Sequence, residues 1–232
     1  MSLMSGQVLR HNPDAISLDA LRWRPPGLPQ HVRVHRATTE QLAGLGWIEP
    51  NDSDPTGAKS FLARAAAEQL EAHHSKVVLH PAVGHANPRC ARAASAKLNS
   101  HATTNSAQLW TSLSRCAPFI VVATAQTPVG VDLEALQTPD QATDLVTLFH
   151  PDDRGALMTL REDHFVHEVT AAWTRKEALL KAWGTGLLRD PAVDAVGTHH
   201  HPDQPHGWAT LSAPSTIAGQ TYYLGLAWRT LS

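Results

Sequence analysis

Apolar and polar positions alternate along the chain with a period that changes several times, from helical to strand-like and back. After Ser53-Asp54-Pro55, which offers capping side chains and a proline for a helix start, Phe61, Leu62, Ala65, Ala66, Gln69 and Leu70 recur at helical spacing. Short strands are expected at Val32 to Val34, Val77 to Leu79, Leu109 to Leu113 and Phe119 to Ala125. Gln126-Thr127-Pro128 reads as a turn and Val129 to Leu133 as the next strand, which predicts an antiparallel hairpin with the strand before it. Along that strand a period of two puts Gly130, Asp132 and Glu134 on one face and Val129, Val131 and Leu133 on the other.

Further on, Pro139-Asp140 opens one helix and His150-Pro151-Asp152-Asp153 opens another through Leu160, with acids suited to a helix N-terminus. Glu168 to Trp183 has the strongest helical pattern, and Gly184 and Gly186 stop it. Strand patterns return around Trp208 to Leu211 and Tyr222 to Trp228. His85 to Gln108 is rich in Ala, Asn, Ser and Arg without periodicity, so it reads as an irregular loop carrying cations such as Arg89, Arg92 and Lys97. The pattern is α+β, divided into residues 1–125 and 126–232, each half combining a helix with short antiparallel strands.

Composition narrows the function classes. With 19 basic against 21 acidic residues and a net charge of −2, nothing points to nucleic acid or to an anionic membrane. No run of about 18 uncharged apolar residues occurs, and Met1 to Gln7 has neither a cationic leader nor an apolar stretch, so a cytoplasmic protein is expected. Cys90 and Cys116 are too few for a disulfide framework. Of the 15 histidines, His199 to His201 sit in a Pro- and Asp-rich segment and His73-His74 at a helix end; His164-x-x-His167-Glu168 motivates a zinc reading but has no second ligand pair.

The candidate chemistry lies in the carboxylates and amines. Asp132 and Glu134, two residues apart on a strand, have Cα atoms roughly 6 to 7 Å apart, so both can close on one ion. Oxygen-only ligands favour Mg²⁺ or Mn²⁺ over zinc. On the strong helix, Trp173, Glu177 and Lys181 fall at i, i+4 and i+8 and are expected on one stripe, with Ala172, Leu179 and Trp183 on the packed side. Taken singly, these are a solvated strand face and an ordinary helix ion pair worth about 0.2 to 0.5 kcal/mol. Taken together, three carboxylates beside an amine suit a divalent metal and a phosphorylated ligand.

Gly130-Val131-Asp132-Leu133-Glu134, then Trp173-Thr174-Arg175-Lys176-Glu177-Ala178 with Lys181 and Gly184-x-Gly186-Leu187, resemble the two signature motifs of the 4′-phosphopantetheinyl transferases of the surfactin-synthetase-activating type. The likeness runs from Val129 to Leu187 and includes Phe149-His150-Pro151; upstream it thins to Trp110 to Ser114 and to the Cys90 to Leu98 loop. It implies two similar subdomains, each a short antiparallel sheet packed with helices, with coenzyme A in the cleft between them. It further implies that Asp132, Glu134 and Glu177 hold Mg²⁺ (Mn²⁺ as an alternative) on the coenzyme's pyrophosphate. Lys181 would neutralise phosphate charge and Lys176 assist. The serine hydroxyl of an acyl or peptidyl carrier domain would attack the β-phosphoryl group and release adenosine 3′,5′-bisphosphate, with Glu177 or a metal-bound water as base. Such carriers serve polyketide, nonribosomal peptide and fatty acid biosynthesis, and a monomer is expected.

Ser114 and Arg115 would also meet the coenzyme. Arg115 stands where the family has a histidine for the 3′-phosphate, and arginine binds phosphate bidentately with a permanent charge. Ala96-Lys97-Leu98 replaces a Gly-Lys/Arg-Pro turn, leaving Lys97 for a phosphate, and Arg64 is a further cation candidate. The competing reading is a non-catalytic coenzyme A-binding or carrier-docking relative, with Arg115 as the discriminating residue.

Overall fold

A computed structural model of the chain describes residues 21–48, 54, 56–70, 78–80, 100–103, 108–198 and 202–231. In chain order the elements are β1 (Val32–Thr38), α1 (Thr39–Gly44), α2 (Ala58–Gln69), β2 (Val78–His80), β3 (Ser100–Thr103), β4 (Gln108–Cys116), β5 (Phe119–Ala125) and β6 (Val129–Ala135). There follow α3 (Pro139–Val146), α4 (Pro151–Met158), α5 (Glu162–Ala182), 3₁₀ turns at Gly186–Leu188 and Pro191–Val193, β7 (Trp208–Ile217) and β8 (Gln220–Arg229). The class is α+β: a five-stranded antiparallel sheet in the order β1-β5-β4-β3-β2, a three-stranded one in the order β6-β8-β7, and helices on their outer faces.

The apolar alternation explains the layering. Val32 and Val34 of β1 and Val121 and Ala123 of β5 share one core with Val129, Val131 and Leu133 of β6 and Leu224 and Leu226 of β8, so the two sheets pack face to face. On the outer side of the first sheet, Leu113, Ile120 and Val122 meet Leu42 of α1 and Phe61, Leu62 and Ala65 of α2. On the outer side of the second, Ala227 joins Val169, Trp173 and Leu179 of α5 with Phe149 and Leu157. Gly130 and Asp132, on the opposite face of β6, therefore lie against α5.

Two expectations are corrected. β5 and β6 form no hairpin: β5 is buried at every position and hydrogen-bonded on both sides, by β1 and β4, so it has no edge to offer. β6 instead pairs with β8, bringing Asp132 opposite Gly225 and Glu134 opposite Tyr223. Within the expected loop from His85 to Gln108, Ser100–Thr103 is a strand between β2 and β4. Four residues are too few to display a period, and their backbone bonds come from neighbours distant in sequence.

α5 begins at Glu162, one turn and more before the expected start, with Glu162 and Asp163 facing the positive end of the helix dipole. At its other end Gly184 adopts φ +73°, its N–H bonding Lys181 O at 2.9 Å while Thr185 N–H bonds Leu180 O at 3.2 Å, a Schellman stop. Among the described residues no helix is long and apolar enough to cross a membrane.

Candidate functional site

Two glycines decide how closely α5 approaches the second sheet. A Cβ on Gly130 would lie 1.9 Å from Ala178 O, and one on Gly225 would lie 2.1 Å from Thr174 O. The helix backbone thus rests directly on the backbones of β6 and β8 at points one turn apart. Gly130 belongs to the first motif; Gly225 escaped sequence reasoning, although a glycine inside the apolar run Tyr222 to Trp228 is the usual sign of close backbone approach.

That approach brings Lys181 to Asp132. Asp132 is fully buried, and its Oδ1 accepts from Lys181 Nζ at 2.6 Å and from Ser114 Oγ at 2.9 Å. Lys181 Nζ also donates to Val131 O at 3.2 Å. Asp132 Oδ2 is buried without a hydrogen-bond partner. Burial opposes the Lys181 charge, but Asp132, Glu177 and Glu134 outweigh it and hold the ammonium above its ordinary range. Glu134 is pushed up to about 8 by burial and by the charges of Asp132 and Glu177. Its Oε2 lies 3.5 Å from Gln137 Nε2. Between Glu168 and Ala182, Glu177 alone is not buried, and it opens onto a small cavity lined also by Leu180, Lys181, Gly186 and Leu187.

β6 is an edge strand, and β4 crosses its open edge. Ser112 Oγ accepts from Val131 N–H at 3.0 Å and Ser114 Oγ from Leu133 N–H at 3.2 Å. Cys116, next on that face of β4, lies near the Ala135 backbone, and its thiol is pushed up by burial and by Glu134 and Asp132.

Other expected site residues lie elsewhere. Lys176 is buried beside Asp153 Oδ2 at 3.7 Å, donates to Asp194 O and lies 5.6 Å from the Phe149 ring centre, away from the Asp132 group. Burial lowers its pKa against the pull of Asp153 and Asp194. Its neighbour Arg175, lowered by burial to about 10, donates to Ser212 Oγ and Gly197 O at 2.6 Å each. Trp173 does not share the stripe of Glu177 and Lys181; it packs edge-to-face on Phe149 with ring centres 5.9 Å apart. Each four-residue step on a helix advances about 40°, so two steps turn Trp173 into the core.

Arg115 points from the face of β4 opposite Ser114, with Nη2 3.2 Å from Asp54 Oδ2 and Nε 3.4 Å from Thr56 Oγ1. Arg64 stacks its guanidinium over Trp47, 4.6 Å from the ring centre. Lys97, with the rest of Cys90 to Leu98, lies outside the described residues, as do His73-His74 and His199 to His201. His167 Nδ1 meets Tyr223 Oη at 2.9 Å while His164 lies beside Asp163, so these two histidines do not converge.

Whether the acids fit a divalent cation turns on the orphaned oxygen. Asp132 Oδ2 has no protein donor, Glu134 is raised by burial and by the nearby charges of Asp132 and Glu177, and all three side chains offer hard oxygens of the kind Mg²⁺ takes. Among the described residues no three such side chains converge as closely as a metal shell requires, so a cation would have to draw in Glu177, the one residue between Glu168 and Ala182 that is not buried. The residues fit.

Residues 128–223, less than half of the chain, match the family model of the 4′-phosphopantetheinyl transferase superfamily, which supports a phosphopantetheinyl transferase role. No curated protein matches the chain.

Proposed function

We propose that the chain is a 4′-phosphopantetheinyl transferase of the surfactin-synthetase-activating type, which moves phosphopantetheine from coenzyme A to a serine of an acyl or peptidyl carrier domain. The observation that carries this reading is the buried Lys181–Asp132 pair at 2.6 Å, with Asp132 Oδ2 unpartnered and the charges of Glu134 and Glu177 beside it. The family match over the same residues supports it. We place the subdomain boundary between residues 125 and 126, so that the first sheet belongs to one half and β6 opens the other.

Asp132, Glu134 and Glu177 would hold Mg²⁺. When bound, the ion neutralises the pyrophosphate and stabilises charge developing on the leaving phosphate. Lys181 adds a fixed positive charge in a water-poor site, where it counts for more than in bulk water. The carrier serine oxygen attacks the β-phosphorus of coenzyme A, the bond to the bridging oxygen of adenosine 3′,5′-bisphosphate breaks, and the electron pair leaves with that nucleotide. Glu177, at the opening of the cavity, accepts the serine proton. Arg115, tied to Asp54 and Thr56, would meet the 3′-phosphate only by leaving that tether.

Incubation with fluorescent coenzyme A, Mg²⁺ and a panel of apo carrier domains tests the proposal. Covalent labelling of a carrier serine is the expected result. Coenzyme binding without labelling of any carrier, with either Mg²⁺ or Mn²⁺, would instead establish the non-catalytic relative.

A further inference from the structure

The open edge of β6 presents the backbone N–H groups of Val131, Leu133 and Ala135, which an adjacent strand would normally satisfy. Two alternate side chains of β4 take up the first two: Ser112 for Val131 and Ser114 for Leu133. Ser114 differs from Ser112. A serine hydroxyl has one proton to donate and two lone pairs with which to accept. Ser114, 1% exposed, accepts the Leu133 N–H at 3.2 Å and donates its own proton to Asp132 Oδ1 at 2.9 Å. The backbone bond thus fixes which way the hydroxyl points.

With Lys181 Nζ, this puts two donors on the same oxygen of Asp132 and none on the other. Two donors from different elements, one on β4 of the first sheet and one on α5, define the plane of the carboxylate. We propose that Ser114 is a positioning residue for the cation site: it holds Asp132 so that Oδ2, rather than Oδ1, is presented to the metal, and it couples that ligand to the first sheet. The inference rests on the metal reading given above. It assigns Ser114 to the metal's carboxylate and not to the coenzyme.

Ser112 supplies the control, since it makes the same kind of edge bond at 3.0 Å and has no hydrogen bond to Asp132. Mn²⁺ binding to the full-length protein, followed by electron paramagnetic resonance without coenzyme A, reads the effect directly. Outer-shell partners of ligating groups typically change metal affinity by about 10 to 100-fold. Ser114→Ala is expected to weaken Mn²⁺ binding at least tenfold, and Ser112→Ala to change it less than about twofold, although both lose one backbone bond and some thermal stability. Equal Mn²⁺ affinities for the two variants would overturn the positioning role while leaving the metal site standing. Absence of Mn²⁺ binding by the unaltered protein would overturn the metal reading itself. Should Ser114→Ala fail to fold, Ser114→Cys fills the same space nearly as well but donates and accepts only weakly, and the same loss is expected; affinity equal to the unaltered protein would overturn the proposal.

Discussion

Lys176 and Lys181 are both buried on α5, and each meets a buried aspartate, yet their surroundings are complete in one case and incomplete in the other. Asp153, the partner of Lys176, accepts Val196 N–H on Oδ2 and Gly197 N–H on Oδ1, each at 2.9 Å, so both oxygens are satisfied before the lysine is counted. With Arg175 on the Gly197 carbonyl, that pocket fastens the segment after α5 to the helix. Asp132 has its donors on one oxygen only, and beside it Glu134 is pushed up to about 8 by burial and by the charges of Asp132 and Glu177. A buried polar atom left unpaired costs about 1 to 3 kcal/mol. Under the proposed function the unpaired oxygen beside like charges is kept for a cation, whereas the Lys176 pocket has both carboxylate oxygens already satisfied.

The sharpest way to break that contrast is to neutralise each aspartate without changing its shape. Asp132→Asn should lower carrier labelling by about 100-fold or more. Asp153→Asn should leave a buried lysine short of its partner and cost about 3 to 5 kcal/mol of stability, with labelling per folded molecule retained. Turnover unchanged in Asp132→Asn would remove the metal assignment.

The lysines give the next test. Breaking a buried pair from either side costs about 3 to 5 kcal/mol, so Lys176→Met and Lys181→Met should both melt early. Saturating Mg²⁺ should restore much of the melting temperature of Lys181→Met, because a cation can replace the lost ammonium beside Asp132. It should restore none for Lys176→Met, and equal recovery would dissolve the distinction.

Gly130→Ala forces a methyl to 1.9 Å from Ala178 O, so α5 must move off the sheet. Overpacking of this kind costs about 1 to 3 kcal/mol, read by urea denaturation. The Mg²⁺ requirement should rise with it, since Glu177 and Lys181 move with the helix. A stability loss with unchanged Mg²⁺ dependence would show that the site tolerates the displacement.

The smallest effect is one of pH. Glu134 rises from 4.5 to about 8 on folding without a cation. A carboxyl raised in the folded state favours folding fully below its unfolded pKa, and that contribution is lost as pH increases from 4.5 through about 8. Metal must displace this proton, so Mg²⁺ affinity should grow by up to about tenfold per pH unit below 8, with close to one proton released per ion. Calorimetry in buffers of different ionisation enthalpy counts the proton; no release at pH 6.5 would place Glu134 outside the metal shell.

Much of the site is legible before folding because its signals are local. Period two on β6 separates Asp132 from Val131, and Gly184 announces the end of α5. Trp173 and Lys176 mislead because they belong to the same motif as Glu177 and Lys181 while the helical turn carries them to other faces. The likeness marks Ser114 only as a residue that would meet the coenzyme, and its bonding to β6 carries no local signal: Ser-x-Ser on a strand takes up that role only when an unpaired strand edge lies across it.

The sequence by itself determined which residue types would converge, since strand alternation and helical periodicity are consequences of backbone geometry at short range. Tertiary structure decided what each of them meets. Pairing β6 with β8 rather than β5, and seating α5 on two glycines far apart in the chain, are long-range events settled by which edges are open and which backbones can touch. Those events place Lys181 and Ser114 on one oxygen of Asp132 and leave the other without a donor.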